Sequence, residues 1–547
     1  MSKPLRHVLT VMAIVMFAVF SFATAPGTAR ASDTGAITVN GAVATRYDAY
    51  QLFSATVIDD ADADQKVATD ITWANDAVRI AVLPVLHDAG LDDSASTAQE
   101  AAEWMNADGH MTTALTAKLA RAIVKAGAVF MPLNAGTAAE LPCGYWLIVA
   151  DDDTIAENEA GTAPIMALVG GSAVTVKPKA ATPKVAKHVL EDSTAAWGKA
   201  ADAAVADDLY WRLSATVPAG LTAYDTYAVQ FVDTMSAGLD SSKVAASMRV
   251  YVAAGADGGF DAVTCEGSNV SSTPAKGWTD ITSRCKVSVE GNAFTVRTGD
   301  LIAALGGADA FAAGARVVAV YSAPLGANCN RGASKGNPNE VYLRYPRSPL
   351  ADQSGDAGFT RTPSDDAAAY TWGLSLIKRS SSDDKPLAGA KLRITDDRGR
   401  TLTAGGTWTT DADAYVVSGE DGRVELNGVD AGVYTVEEVA APKGYTAFEG
   451  KRTVTIAADG LDVKQVAAAK PKVAVSVESP LRVDAADAGT GSIELSVLNT
   501  PSKEASRGFM PSTGDRTLVL VAALAVIGVA AIVAALIIKR GGGRRDK

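Results

Sequence analysis

Short segments in which apolar and polar residues alternate are the feature that most limits how this 547-residue chain can fold. "RLSATVPAGL" places Leu213, Ala215 and Val217 on one face, because side chains alternate along a strand with a period of two. "ARVVAVYSA" and "NEVYLRYP" are rich in the β-branched and aromatic residues that strands favour. Gly, Asp and Pro recur between such segments as turn signals. The pattern predicts a mainly β protein built from tandem immunoglobulin-like β-sandwiches.

A chain of this length is too long for one hydrophobic core, so we expect several domains. The segment 97–127 has helical period and composition, which predicts a helix in the first domain. Stretches rich in Pro, Ser, Asp or small residues at 176–185, 354–372 and 499–508 indicate linkers. The predicted domains are therefore an N-terminal domain at 32–176, a middle domain at 177–365 and a third domain at 370–502.

The two ends of the chain carry apolar segments. Lys3 and Arg6 precede "VLTVMAIVMFAVF", and "ARA" precedes Ser32, so residues 1–31 are predicted to be a cleaved secretory signal peptide. Residues 517–538 are uncharged and long enough to span a bilayer as a helix, and the basic "KRGGGRRDK" after them indicates the cytoplasmic side. The body of the chain is therefore expected outside the cell. The net charge is −12, which argues against nucleic-acid binding.

Cysteine and histidine give no sign of a catalytic or metal site. Export permits disulfides, and Cys265 and Cys285 flank a Gly/Ser/Pro-containing loop that a disulfide could close, although unpaired thiols fit equally well. The cysteine spacing does not suggest zinc, so no metal is expected. The four histidines are His7, His87, His110 and His188. None of them lies in a recognisable nucleophile or metal motif of the kind that a wall hydrolase would need.

Three predicted strands of the third domain carry an apolar stripe that ends in a polar group. These groups are Lys378 in "GLSLIKRS", Glu438 in "VYTVEEVAAPKGY" and Asn499 in "IELSVLNTP". They could be three surface residues at strand ends. If they are buried together, burial favours a neutral amine and a protonated acid. The acid can then hydrogen-bond the carbonyl oxygen of the asparagine amide and polarise it, the amine can attack, and ammonia leaves. This reaction forms an isopeptide bond and needs no cofactor.

"GLSLIKRSSSDDKPLAGAKLRI", "YTVEEVAAPKGYTA" and "LSVLNTPS" resemble the collagen-adhesin B-type domain of Gram-positive surface proteins over residues 370–502. The resemblance implies a prealbumin-like sandwich. It also assigns Lys378 as the amine, Glu438 as the residue that promotes the reaction and Asn499 as the acceptor.

The middle domain contains "TPKVAKHVLEDSTAAW", "YDTYAVQFVDTMSAGL" and "GNPNEVYLRYP", which resemble the isopeptide-forming middle domain of shaft pilins. Val185, Lys187 and Val189 share one strand face, so Lys187 is the candidate amine. Val229, Phe231 and Asp233 share another, so Asp233 is the candidate acid. Where that family usually has "YSNNP", this chain has "YPRSP", so Arg347 occupies the position expected for the asparagine and cannot supply a leaving amide. A bond would need Asn337 or Asn339 instead. The sequence therefore favours a plain sandwich here.

The segment "MPSTG", followed by the apolar span and the basic tail, resembles the LPxTG sorting signal of sortase substrates at residues 503–547. Methionine is nearly isosteric with the usual leucine. The proline favours an extended peptide that can enter a cleft. The resemblance implies cleavage between Thr513 and Gly514, with Thr513 held as a thioester on sortase. An ordinary single-pass anchor is the alternative. The five motif residues are Met510, Pro511, Ser512, Thr513 and Gly514.

The thioester needs an amine, and shaft pilins use a lysine in a "YPK" setting between their first two domains. This chain has "VTVKPKAATPKVAK" there, so Lys179 is the predicted polymerisation residue, and Lys177, which stands in place of the tyrosine, is the alternative. Both could also be solvated linker lysines. "GAITVNGAVATRYDAYQLFSATV" and "LPCGYWLIVADD" resemble the N-terminal pilin domain and carry no catalytic set.

These resemblances together imply a Gram-positive shaft pilin that acts as a structural and adhesive subunit. The implied partners are sortase, further pilin subunits in a covalent homopolymer, peptidoglycan and a host surface ligand. The implied location is an extracellular pilus anchored to the cell wall. Apart from the intramolecular cross-linking reaction, no enzyme activity is expected. A monomeric wall-anchored adhesin is the alternative.

Overall fold

The computed structural model describes residues 33–502, apart from 43, 61–64, 220, 256–258 and 268. The predicted signal peptide, membrane span and sorting motif lie outside these residues. Within the described residues, no helix combines the length and apolar character needed to cross a membrane. Strands dominate, and they pair within three parts of the chain: an N-terminal region (34–176), a middle sandwich (185–370) and a third sandwich (372–501). The prediction of tandem β-sandwiches is confirmed.

The N-terminal region combines sheets with helices. One sheet has the order β5–β1–β8, and another has the order β3–β2–β6–β7 with β4 beside β2. The helices pack on the second sheet, with Leu52 and Leu119 fully buried in their shared core. The strands are β1 (Thr34–Val39), β2 (Arg46–Asp60), β3 (Gln65–Trp73), β4 (Met131–Asn134), β5 (Ala138–Pro142), β6 (Gly144–Ala150), β7 (Ile165–Val169) and β8 (Val174–Val176). The helices are α1 (Asp76–Asp88), α2 (Ala98–Asn106) and α3 (Thr113–Lys125).

The helical segment predicted at 97–127 consists of two helices, α2 and α3. A turn separates them, and Gly109 adopts a φ of 81° there, which favours glycine. Thr97 and Thr112 cap the two N-termini through their side-chain oxygens. Helix α1 was not predicted, although its sequence carries a signal. Asn75 caps its N-terminus, and the buried Val78, Val82 and Leu86 recur every four residues.

The middle sandwich has two main facing sheets. One has the order β10–β9–β12–β20–β14–β17, and the other has the order β11–β23–β21–β13–β19–β18 with β22 beside β21. Trp211, Phe231 and Tyr321 lie fully buried in the core between them. The first strands are β9 (Val185–Glu191), β10 (Ala196–Gly198), β11 (Ala200–Asp202), β12 (Tyr210–Thr216), β13 (Gln230–Met235), β14 (Arg249–Ala253), β15 (Cys265–Glu266) and β16 (Asn269–Val270). The others are β17 (Thr279–Asp280), β18 (Lys286–Glu290), β19 (Ala293–Arg297), β20 (Arg316–Ser322), β21 (Asn337–Pro346), β22 (Phe359–Arg361) and β23 (Asp365–Tyr370), with short helices α4 (Val244–Ser247) and α5 (Leu301–Ala304).

One prediction for the middle sandwich differs from the structure. The segment 354–372, predicted as a linker from its small residues, contains β22 and β23. Ala367, Ala368 and Ala369 are almost completely buried, because their small side chains let β23 pack closely in the sandwich. The sequence left Cys265 and Cys285 open between a disulfide and unpaired thiols, and in the structure both are free thiols. Cys285 instead donates its Sγ–H to the carbonyl oxygen of Ile281, 3.3 Å away.

The third sandwich joins its first and last strands. In one sheet, ordered β29–β24–β35–β31 with β34 beside β35, strand β24 pairs in parallel with β35. The facing sheet has the order β27–β26–β25–β30–β32–β33 with β28 beside β25. The strands are β24 (Trp372–Ser380), β25 (Lys391–Thr395), β26 (Thr401–Leu402), β27 (Trp408–Thr409), β28 (Val416–Val417), β29 (Arg423–Val429), β30 (Gly432–Ala440), β31 (Tyr445–Thr446), β32 (Lys451–Asp459), β33 (Lys472–Val477), β34 (Leu481–Asp487) and β35 (Ser492–Pro501).

Candidate functional site

The parallel pairing of β24 with β35 brings Lys378 and Asn499 onto one face. Lys378 lies opposite Val497, and Asn499 lies opposite Ser380, so the two side chains are diagonal neighbours in the sheet. Lys378 is 0% exposed and Asn499 is 1% exposed. Glu438 projects from β30 of the facing sheet, on the same side of its strand as the buried Val436. The three polar groups are therefore inside the sandwich rather than at its surface.

The three side chains contact one another directly. Lys378 Nζ donates to Asn499 Oδ1 and lies 3.0 Å from Glu438 Oε1. Asn499 Nδ2 donates to the same Glu438 oxygen at 2.8 Å, and the other glutamate oxygen accepts from the backbone N–H of Phe448 at 3.0 Å. Each buried polar group therefore has a partner, as burial requires.

One detail differs from the sequence prediction, which placed the acid at the amide oxygen. In the structure, Glu438 contacts the amide nitrogen of Asn499, and the amine of Lys378 contacts the oxygen. The lysine nitrogen donates to the amide oxygen, and a glutamate oxygen accepts from the amide nitrogen. Glu438 is therefore positioned next to the nitrogen that would leave, rather than next to the carbonyl oxygen.

Burial changes the pKa of the Lys378 amine. Removal from water lowers the pKa of Lys378, and the nearby Glu438 opposes this shift. A lower pKa increases the fraction of neutral amine, which is the nucleophilic form. Glu438 lies within hydrogen-bond reach of both nitrogens, so it can accept a proton from the attacking amine and pass one to the leaving amide.

The middle sandwich contains a second buried lysine in a similar environment. Lys187 on β9 is 0% exposed, contacts the buried carboxyl of Asp233 on β13, and donates to the hydroxyl of Tyr321 on β20 at 2.9 Å. Burial lowers the pKa of Lys187 to about 8, against the opposing effect of Asp233. Burial likewise raises the pKa of Asp233, although Lys187 opposes the shift.

The structure distinguishes among the asparagine candidates of this sandwich. Asn339 is fully buried on β21 and donates its Nδ2–H to the Tyr321 hydroxyl at 2.9 Å, so it belongs to the Lys187 cluster. Asn337 is held by a loop instead, where it donates to the Asn330 carbonyl at 2.9 Å. The placement of Arg347 in the asparagine position is wrong. Arg347 follows β21 and donates to the carbonyl oxygen of Asp152 in the N-terminal region.

Sequence reasoning missed Tyr321, although a signal for it was present. In "ARVVAVYSA", Val317, Ala319 and Tyr321 share one strand face, and all three are buried. This stripe ends in a hydroxyl group, just as the stripes of the third sandwich end in polar groups. Parity along β20 could therefore have placed Tyr321 in the same cluster as Lys187.

The linker lysines lie between the N-terminal region and the middle sandwich. Lys177 directly follows β8, and Lys179 lies further along the loop that leads to β9. Both residues are exposed, so both amines are open to a reaction partner. The structure does not distinguish between them on the basis of exposure.

Comparison with known proteins finds similar solved structures and one matching family model. Three similar solved structures are the T6 backbone pilin of Streptococcus pyogenes serotype M6, the major pilin SpaD of Corynebacterium diphtheriae and the major pilin BcpA of Bacillus cereus. The T6 protein has 15% identity and a TM-score of 0.48, over 88% of this chain and 100% of that one. SpaD has 14% identity and a TM-score of 0.41, over 86% and 98% of the two chains. BcpA has 12% identity and a TM-score of 0.39, over 86% and 99%.

Likenesses at these TM-scores do not establish a function. No curated protein sequence matches the chain. A family model described as the SpaA prealbumin-like fold domain matches residues 373–470, which include Lys378 and Glu438 and end before Asn499. The predicted prealbumin-like character of this part of the chain is thereby confirmed. Residues 373–470 are therefore similar in sequence to the SpaA prealbumin-like fold domain.

Proposed function

We propose that this chain is the structural shaft subunit of a covalently polymerised, wall-anchored pilus that supports adhesion. The observation that carries the proposal is the buried contact of Lys378, Glu438 and Asn499 between the first and last strands of the third sandwich. A covalent bond at this point would connect the strand by which the chain enters the third sandwich to the strand by which it leaves. Such a connection suits a protein that bears load along its length.

The reaction is a single intramolecular amide exchange. Lys378 Nζ forms a bond with Cγ of Asn499, the bond from Cγ to Nδ2 breaks, and the Nδ2 nitrogen leaves as ammonia. Glu438 takes one proton from the attacking amine and delivers it to the leaving nitrogen, so the carboxyl group ends as it began. The protein is an enzyme only in this limited, single-turnover sense.

Replacement of Glu438 by glutamine should block this bond, because an amide cannot shuttle the proton. After correction for the mass change of the substitution itself, the expected result is a chain heavier than the wild type by one ammonia, and general acid–base catalysis predicts a reaction slower by about 100-fold or more. Intact-mass spectrometry of residues 32–502, purified from an expressing cell, provides the measurement. Glu437→Gln is the matched control, since Glu437 lies on the opposite face of β30 and pairs with Arg393. A Glu438→Gln chain of wild-type mass would show that Glu438 has no role in the reaction.

We also propose a cross-link between Lys187 and Asn339 in the middle sandwich, with Asp233 as the acid. The buried lysine, carboxyl and amide support it, and the atoms balance as in the third sandwich, with loss of one ammonia. The bond would join strands of facing sheets, β9 and β21, rather than neighbouring strands of one sheet.

The proposed polymer links Thr513 of one subunit to Lys179 of the next. The sorting motif 510–514, the apolar segment and the basic tail support a sortase reaction, and the exposed linker lysine supports an accessible amine. Peptidoglycan would then receive the last subunit. The proposed domains are those predicted from the sequence, at 32–176, 177–365 and 370–502, with the boundary between the last two moved to residue 371 because β23 pairs with β21 of the middle sandwich.

Loss of the polymerisation lysine should abolish the polymer. In Lys179→Ala cells, the high-mass ladder seen in boiled cell-wall extracts on a denaturing immunoblot should collapse to monomer, because no amine remains to resolve the thioester. Lys184→Ala, which changes another exposed lysine of the same linker, should leave the ladder intact.

The same immunoblot distinguishes linkage through Lys179 from linkage through Lys177, and a pilus from a monomeric adhesin. A ladder that is lost in Lys177→Ala but kept in Lys179→Ala would show that the polymer is linked through Lys177. A single wild-type band would contradict the pilus and favour a monomeric wall-anchored adhesin, which would share the sorting motif and the internal cross-links but use no linker lysine.

A further inference from the structure

The two buried lysine clusters differ in one respect. In the third sandwich, Asn499 Nδ2 donates directly to the acid Glu438. In the middle sandwich, the corresponding nitrogen of Asn339 donates to the hydroxyl oxygen of Tyr321, and that hydroxyl donates to Asp233 Oδ2 at 3.0 Å. Tyr321 therefore stands between the acid and the amide.

The Tyr321 hydroxyl contacts every group that would react or move a proton. Its oxygen lies 2.9 Å from Lys187 Nζ and 2.9 Å from Asn339 Nδ2, so the two nitrogens are separated by at most twice that distance. The remaining oxygens of the cluster, Asp233 Oδ1 and Asn339 Oδ1, are buried and have no hydrogen-bond partner among the described residues. The carbonyl of the candidate acceptor is thus not held by another group.

The environment keeps the phenol protonated. Burial and the neighbouring Asp233 raise the pKa of Tyr321 well above its ordinary value. The titratable groups facing the hydroxyl from the surrounding strands are Lys187 of β9 and Asp233 of β13. A neutral phenol can give a proton only if it receives one at the same time, and the hydrogen-bonded Asp233 can supply it.

We propose that Tyr321 is a catalytic proton relay in the Lys187–Asn339 reaction, an inference that rests on the proposed middle-sandwich cross-link. Lys187 Nζ forms a bond with Cγ of Asn339 and gives one proton to Asp233. Asp233 then passes a proton to the Tyr321 oxygen while Tyr321 passes its own hydroxyl proton to Nδ2. The bond from Cγ to Nδ2 breaks and ammonia leaves. Asp233 and Tyr321 both end in their starting protonation states.

The third sandwich needs no such relay, because Glu438 reaches both nitrogens directly. The chemical reason for the difference is side-chain length. Asp233 is one methylene shorter than a glutamate, and the tyrosine hydroxyl extends its reach to the amide nitrogen. The relay thus assigns a function to a buried tyrosine that the lysine, acid and asparagine alone leave unexplained.

Tyr321→Phe tests the relay, because it removes one oxygen and keeps the ring that packs against Phe294 at a centroid distance of 4.7 Å. The protein isolated from expressing cells is digested with trypsin, and tandem mass spectrometry detects the branched peptide that joins Lys187 to Asn339. We expect the branched peptide in the wild type and its loss in Tyr321→Phe, or formation slower by about 100-fold or more. The third-sandwich branched peptide should be unaffected in both.

Tyr227→Phe is the matched control, since Tyr227 is a buried tyrosine of the same core whose hydroxyl has no hydrogen-bond partner among the described residues. It should keep the branched peptide. A Tyr321→Phe chain that cross-links at the wild-type rate would overturn the relay and leave the cross-link standing. A wild type without the branched peptide would instead overturn the cross-link, and the relay with it.

Calorimetry distinguishes a catalytic from a structural role of Tyr321. If Tyr321 acts only in the reaction, Tyr321→Phe should unfold at the temperature of Lys187→Met, which lacks the amine and so also lacks the bond. A middle-sandwich transition well below that of Lys187→Met would indicate that the hydroxyl is needed for folding, and would overturn the relay.

Discussion

Replacing Lys378 with methionine is expected to lower the stability of the third sandwich by about 5 kcal/mol, because the proposed cross-link, which would constrain the unfolded chain, could not form. Lys378 and Asn499 are 121 positions apart, so the proposed bond between them would close a long loop. Methionine has a similar length and leaves the contact between Glu438 and Asn499 in place. For a domain of this size, the loss corresponds to a fall in unfolding temperature of about 18 °C.

Calorimetry and intact mass on residues 32–502 give the measurement. The transition of the third sandwich should move while that of the middle sandwich stays, and the ammonia loss from the third sandwich should disappear. Lys385→Met is the control, because the Lys385 side chain is 76% exposed in the loop after β24 and should have little effect. Equal unfolding temperatures for Lys378→Met and the wild type would contradict a stabilising bond at this position.

Under mechanical load, the wild-type third sandwich is expected to release almost none of the chain between its cross-linked residues. The 121-position segment would extend by about 400 Å if it unfolded freely. Because β24 and β35 are the first and last strands of the sandwich, force that enters one strand would leave through the other across the proposed bond. Lys378→Met cannot form the bond that would carry this force, so the whole 121-position segment should be released when the sandwich unfolds.

Single-molecule pulling on residues 32–502 measures this difference as an extra extension step in Lys378→Met. The Lys385→Met control should behave as the wild type does. A wild-type step of about 400 Å would show that the segment is not bypassed, and would exclude a cross-link between these residues.

The two sandwiches would carry load differently. In the middle sandwich, a bond between Lys187 and Asn339 would join the first strand β9 to β21, but β22 and β23 follow β21 before the chain reaches β24. Strand β23 is held by pairing with β21 and β11. Force would therefore pass through these strand pairings in addition to the proposed bond. The middle sandwich should consequently release a longer part of its chain under load than the third sandwich does.

The sequence alone determined the β-sandwich class and the third-sandwich residues. Period-two alternation put Lys378, Glu438 and Asn499 on inward faces. The inference held because a shift of a strand by one residue would turn every side chain to the other face, so the apolar pattern fixes which face points inward. The same parity argument found Lys187 and Asp233. Each of these inferences concerns a single strand, where local pattern and burial are tightly connected.

Only the tertiary structure decided which inward-facing groups meet. Parity alone could not separate Asn337 from Asn339, because both lie on the same face of β21. The separation came from contacts across the sandwich and with a loop, where Asn339 meets Tyr321 and Asn337 meets Asn330. Arg347 shares that face as well, yet it lies beyond the end of β21 and contacts the N-terminal region. The position of a residue along its strand relative to a facing sheet depends on contacts between distant segments, and sequence periodicity does not record them.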